Sequence, residues 1–153
     1  MIPNAPPSEE IFKIRNQSTK MKIVEDFPPN IDALRLVFPI TNTVIFAWGD
    51  KIYNPHKVDI PDELIAHEMV HGARQLKMGV NEWWVRYIED PAFRLAEEVP
   101  AHQAEFTWLM KNANRKERRS ALKVVSNKLA APLYGKLITP KQAQKIIKEA
   151  LDG

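Results

Sequence analysis

Three features of the 153-residue sequence predict an α+β domain, with a small, mostly antiparallel sheet packed on one helix and a helical C-terminal half. Thr43-Val44-Ile45-Phe46-Ala47-Trp48 is β-branched or aromatic at almost every position, the composition of a strand. From Pro61 onward, glycine and proline punctuate helix-length segments that open on cap residues. The length suits one domain, residues 1–153, around a single core.

The elements follow in order. Residues 1–8, Met-Ile-Pro-Asn-Ala-Pro-Pro-Ser, read as an extended, flexible arm. Ile11 to Arg15 alternates apolar and polar residues, as a short strand does, and Lys20 to Glu25 does so more weakly. Phe27-Pro28-Pro29-Asn30 is a turn. Asn30 can cap a short helix over Ile31 to Phe38, which Pro39 stops. After the strand Thr43–Trp48, Gly49-Asp50 turns the chain and Lys51 to Asn54 returns as a second strand. Asp59 or Ile60 caps the next helix, with Pro61 in its first position and Asp62 and Glu63 at the positive end of its dipole. Ile65, Met69, Ala73 and Leu76 form its apolar stripe, and Gly79 ends it. Asn81 to Ile88 is a short helix rich in aromatics. Asp90-Pro91 starts a long one that reaches about Asn112, and Pro100 is expected to kink or restart it. Two more helices follow, from about Arg115 to Ala130 and from Thr139-Pro140 through Ile146, Ile147 and Leu151.

Composition narrows the chemistry. No cysteine is present, which excludes disulfides, a cysteine nucleophile and thiolate metal sites. No apolar run approaches the roughly 20 residues of a membrane span. The N-terminus is polar and proline-rich, without the basic start and apolar centre of a secretory signal. The expected compartment is therefore the cytoplasm, unless an assembly carries the protein elsewhere. Net charge is only +3, but Lys111, Arg115, Lys116, Arg118, Arg119 and Lys123 cluster around a single acid, Glu117. A solvated helix face explains them. A nucleic-acid-binding protein using the Lys111–Lys123 cluster is the alternative, and no aromatic RNA-binding motif or zinc finger accompanies it.

The chemistry concentrates in His67-Glu68-Met69-Val70-His71, an HExxH pattern within a predicted helix. Residues four apart share a helix face, so the two imidazoles point together and can grip one metal ion. Glu68 projects beside that ion, where it can take a proton from water. Only four histidines occur in the chain, and two are used here. A catalytic zinc usually has three protein ligands plus water. Arg74 and Lys77 stand where the extended pattern HExxHxxGxxH needs glycine and histidine, so the metzincin subtype is excluded. The third ligand is then a glutamate from a later helix: Glu97, Glu98 or Glu105.

Three segments carry a resemblance. They are Leu64 to His71, then Trp83-Trp84-Val85-Arg86-Tyr87-Ile88-Glu89-Asp90-Pro91-Ala92-Phe93-Arg94, then Glu97-Glu98-Val99-Pro100-Ala101. Over Ile60 to Glu105, about a third of the chain, the sequence resembles the gluzincin zinc metallopeptidases. It is more closely similar to small zincin-like proteins encoded in bacteriophage and prophage genomes. The resemblance implies a minimal zincin-like fold. In that pattern the glutamate of a Glu-x-x-Ala segment is the ligand, which makes the zinc ligands His67, His71 and Glu98, with Glu97 one helical position away. Ala101 leaves room for the two helices to approach. His102 and Glu105, one and two turns beyond Glu98, are placed to hydrogen-bond a ligating histidine or to face substrate.

The reaction so implied is hydrolysis of a peptide bond in a protein or peptide substrate by zinc-activated water, with Glu68 as general base. Tyr134, in the turn Pro132-Leu133-Tyr134-Gly135, is a candidate oxyanion donor. An exposed edge of Thr43–Trp48 would align the peptide. Trp83 and Trp84 are expected to form the wall between helices rather than a substrate pocket. The alternative is a structural component of a phage particle, with a zincin fold and a vestigial or narrowly restricted site.

Overall fold

A computed structural model describes residues 21–151. The expected strand at Ile11–Arg15 and the arm at 1–8 lie outside the described residues. The order of elements is β1 (Lys22–Val24), α1 (Ile31–Val37), β2 (Phe46–Trp48), β3 (Lys51–Tyr53), α2 (Asp62–Met78), α3 (Val80–Glu89), α4 (Pro91–Asn112), α5 (Arg115–Leu129) and α6 (Pro140–Lys148). Short 3-10 turns follow α5, at Pro132–Tyr134, and α6, at Glu149–Leu151. The architecture is α+β with a helical C-terminal half. No helix of the described residues is long and apolar enough to cross a membrane.

The sheet has three strands in the order β1-β3-β2. β2 and β3 form the expected antiparallel hairpin, with Trp48 opposite Lys51 and Phe46 opposite Tyr53. Gly49 takes φ 61° in its tight turn, a left-handed conformation that glycine reaches without steric cost. β1 adds to β3 in parallel, so the sheet is mixed. The strand at Thr43–Trp48 is shorter than its composition suggests. Only Phe46–Trp48 pairs, because β3 has just three residues to offer it.

Helix ends follow local chemistry with two exceptions. Asp90 accepts a hydrogen bond from Ala92 N ahead of Pro91, and Asn114 and Thr139 each form a reciprocal cap with the residue three positions on. Asn30 precedes α1 as expected, but its side chain makes no cap hydrogen bond. Pro61 itself is the cap of α2, one residue later than expected, and no side chain closes that end. α4 neither breaks nor restarts at Pro100 but runs as 22 residues. The packing of its buried face outweighs the one hydrogen bond that proline removes.

Two apolar clusters flank α4. Leu34, Phe46, Trp83, Trp84 and Tyr87 form one, between α1, the sheet and α3. Phe106, Ala121, Val125, Leu129, Ala143 and Ile147 are central to the other, between α4, α5 and α6. Between them α2 packs across α4, and its buried face is not the apolar stripe that the sequence suggests. Ala73 and Leu76 are exposed, while His67, Glu68, His71, Gly72 and Gln75 are buried beside Ile65. Two contacts fix that rotation. Gln75 accepts from Gly49 N at 2.6 Å and donates to Ala47 O at 3.1 Å, which clips α2 to the hairpin. Gly72 lies directly under the turn.

That close approach gives a stability test. A Cβ at Gly72 would sit 2.2 Å from Gly49 O, a backbone atom that cannot swing aside. Gly72→Ala should therefore destabilise the fold by about 2–3 kcal/mol, as overpacking does, measured by urea unfolding followed by circular dichroism.

Candidate metal centre

The site forms where α2 and α4 face each other. His67 and His71 lie one turn apart on α2, and Glu98 faces them from α4. His67 Nε2 is 3.2 Å from Glu98 Oε1, and His71 Nε2 is 3.1 Å from Glu98 Oε2. One donor atom from each of the three residues falls within 4.8 Å of the others. All three side chains are buried. Ala101, fully buried one turn beyond, lets the helices approach.

These residues fit a metal ion. Around a tetrahedral zinc, neighbouring donor atoms stand about 3.3 Å apart, given ligand distances of about 2.0–2.1 Å. The imidazole-to-carboxylate separations are compatible with that spacing, each imidazole meeting its own oxygen of Glu98. Glu98 Oε1 is buried and has no hydrogen-bond partner among the described residues, despite the nearby imidazole nitrogen. One donor atom from each residue lies close enough to the others for a single ion to meet all three at one point. An unpaired buried acceptor costs about 1–3 kcal/mol, and a cation at that point would relieve it. The donor set, two imidazoles and a carboxylate without thiolate, is that of a catalytic zinc site.

The electrostatics agree. Burial disfavours the imidazolium of His67, yet the hydrogen bond it donates to Glu105 and the neighbouring carboxylates of Glu98 and Glu68 outweigh it and raise its pKa to about 10. Burial likewise opposes ionisation of Glu98, but the two imidazoles hold its carboxyl well below the usual range. The pocket thus stabilises positive charge at His67. Burial pushes Glu68 upward, and His67 and His71 only partly pull it back. That direction suits a carboxylate that accepts a proton.

A surrounding shell orients these groups. His67 Nδ1 donates to Glu105 Oε1 at 3.0 Å, which turns Nε2 toward Glu98. Tyr87 donates a short hydrogen bond to Glu98 Oε2. His71 has no hydrogen-bond partner at Nδ1 among the described residues. Its ring is instead held edge-on by Trp83 at 5.3 Å and Tyr87 at 6.4 Å. His102 donates from Nδ1 to the backbone carbonyl of Glu98 at 2.8 Å, and burial with the nearby His67 charge lowers its pKa to about 4. It packs as a neutral ring against His67 and Tyr134.

Glu97 points elsewhere. It accepts two hydrogen bonds from the Arg74 guanidinium, at 2.7 and 3.0 Å, and one from Trp83 Nε1 at 2.8 Å. With its oxygens so occupied it ties α2 and α3 to α4. Tyr134 reaches the site from the 3-10 turn, 5.5 Å from His102 between ring centres. Arg94 holds that turn, donating to Leu133 O as well as to Tyr87 O and Ile88 O.

His67, Glu68, His71, Glu98 and Tyr134 line one cavity of about 170 Å³. Its opposite wall is apolar: Leu34, Phe38, Ile40, Val44, Phe46 and Trp84. Trp83 and Trp84 belong to the core and also border this cavity. The start of the basic cluster lies apart. Arg115 opens α5, about 20 Å along the helix from Lys128, the residue of α5 that reaches the site.

Sequence reasoning did not find Tyr87, Arg74 or Lys128. Tyr87 carried only an aromatic signal, and its hydroxyl's target lies 11 residues on. No family model, no curated protein and no solved structure matches the chain.

The geometry separates the two glutamates. Glu98→Ala should abolish one-to-one zinc binding, measured by competition with a chromophoric chelator. Glu97→Gln should leave zinc affinity within about threefold of wild type and lower only the unfolding midpoint. Tyr87→Phe should weaken zinc binding by about tenfold, the lower end of effects from groups that hold a ligand in place.

Proposed function

We propose that the protein is a zinc-dependent peptidase of the gluzincin kind, with His67, His71 and Glu98 as the metal ligands and Glu68 as general base. The observation that carries this reading is the placement of two imidazoles and an unsatisfied carboxylate oxygen at the edge of a cavity with an apolar wall. When bound, zinc lowers the pKa of a water molecule and polarises the scissile carbonyl.

The chain's own groups do the rest. Glu68 Oε2 lies 4.0 Å from His67 Nε2, beside the ligands rather than among them. There it takes a proton from the attacking water and hands it to the leaving amine. The Tyr134 hydroxyl supplies a hydrogen bond to the oxyanion. Burial, then the charges of Glu98 and Glu68, push its pKa well above the usual value, so it remains a donor. β2 is an edge strand of the sheet. Ala47 O and Gly49 N on its free side are taken by Gln75 and Trp84, so the expected backbone pairing of a peptide along this strand is obstructed there. The apolar wall receives an aliphatic or aromatic side chain next to the scissile bond.

Zinc should bind at one ion per chain. Glu68→Gln should keep the metal and lose at least about a hundredfold in turnover, assayed on a mixture of casein-derived peptides by mass spectrometry. New termini should flank large apolar residues. A wild-type chain that holds zinc and cleaves no peptide would defeat the peptidase reading. It would favour a particle component with a restricted site, which cofractionation with virions would detect.

A further inference from the structure

We propose that Lys128, on α5, is a positioning residue of the metal centre. It anchors the Glu105 carboxylate so that His67 presents Nε2, and no other nitrogen, to the ion. This rests on the metal-binding reading above.

Glu105 is 3% exposed and has two hydrogen bonds to side chains among the described residues. Oε1 accepts from His67 Nδ1 at 3.0 Å, and Oε2 accepts a short bond from Lys128 Nζ. The last torsion of a glutamate is soft, with no narrow rotamer well to fix the plane of its oxygens. A single bond to His67 would leave that plane free to rock, and the imidazole with it. Lys128 pins the far oxygen, so the carboxylate is held at both ends.

The pair differs from an ordinary surface ion pair, in which both partners are solvated and little is gained. One partner here is buried and carries a proposed ligand on its other oxygen. The ammonium keeps contact with water, its side chain 44% exposed, so its own desolvation is small. Its position is set by packing. Val125 and Leu129, on the face of α5 that meets α4 and α6, are fully buried on either side of it in sequence. Lys128 lies outside the basic cluster at the start of α5 and has a separate task.

The test compares Lys128→Met, Lys128→Arg and Glu105→Gln with wild type. Zinc affinity is measured by chelator competition, and the His67 Nδ1 proton is followed by NMR in zinc-loaded and metal-free chains. Lys128→Met keeps the aliphatic stem and should weaken zinc about tenfold and lose the proton resonance to exchange. Lys128→Arg should restore both, and Glu105→Gln should weaken zinc at least as much as Lys128→Met. Wild-type affinity with a retained resonance in Lys128→Met would overturn the proposal. So would equal losses in Met and Arg variants that also unfold early, since they would report general destabilisation. If the wild-type chain takes up no zinc, the metal reading fails. The metal-free resonance then decides alone whether Lys128 positions His67.

Discussion

The seam between α2 and α4 sets the terms for everything around it. Helices usually meet through apolar ridges. Here the buried positions include His67, Glu68, His71 and Gln75 on one side and Glu97, Glu98, His102 and Glu105 on the other. Buried charges are costly unless each finds a partner. Following the partners through the seam leaves a deficit at one place. Glu97 is paired with Arg74 and accepts from Trp83, and Glu105 is paired with His67 and Lys128. Glu98 has one oxygen satisfied by Tyr87 and one left open beside an imidazole nitrogen. The seam satisfies its flanks and leaves one carboxylate oxygen open at its centre.

The aromatic layer on α3 serves this seam as well as its own core. Trp83 stacks on Tyr87 at 4.8 Å and meets Phe93 at 6.2 Å, which closes the apolar side. The polar atoms of the same rings face inward, Trp83 Nε1 to Glu97 and Tyr87 OH to Glu98. Neighbouring carboxylates on α4 are thereby held by neighbouring aromatics on α3, with different outcomes. Glu97 is fully occupied, and Glu98 keeps one oxygen free. The segment Asp90-Pro91-Ala92-Phe93-Arg94 is explained in the same way. Asp90 and Pro91 start α4, Phe93 packs on Trp83, and buried Arg94 fastens the turn that carries Tyr134.

Much of the fold was legible because local chemistry decided it. The hairpin at Gly49-Asp50, the start of α4 at Asp90-Pro91 and the cap at Thr139 depend on residues adjacent in sequence. What could not be read depended on partners far along the chain. The face that α2 buries was misjudged because Leu76 and Ala73 outscore His67 and Gln75 on any hydrophobic scale. The deciding contacts are Gln75 with the hairpin and Gly72 with Gly49 O, more than 20 residues away. Pro100 looked disruptive because its missing hydrogen bond is a local loss, whereas the packing that keeps α4 continuous is tertiary. Within the site, His67, Glu68 and His71 came from spacing and Glu98 from resemblance to a family pattern. Glu105 was foreseen only as one of several roles, and Tyr87 and Lys128 gave no signal. A hydroxyl or an ammonium becomes informative only once its target is known.

The two histidines of one helical turn are secured by opposite halves of the molecule. His71 is wedged by the rings of α3 and depends on the apolar cluster that includes the sheet and α1. His67 is fixed through Glu105 to Lys128 and so depends on the second cluster, which docks α5 against α4 and α6. The C-terminal helices therefore do more than enlarge the fold. Without them Glu105 would lose its counter-charge, and a buried carboxylate lacking one would pull His67 toward the protonated form. In the proposed site a proton and a metal would compete for the same Nε2. A second, polar anchor on Glu105 would shift that competition toward the metal and so tie α5 to the centre.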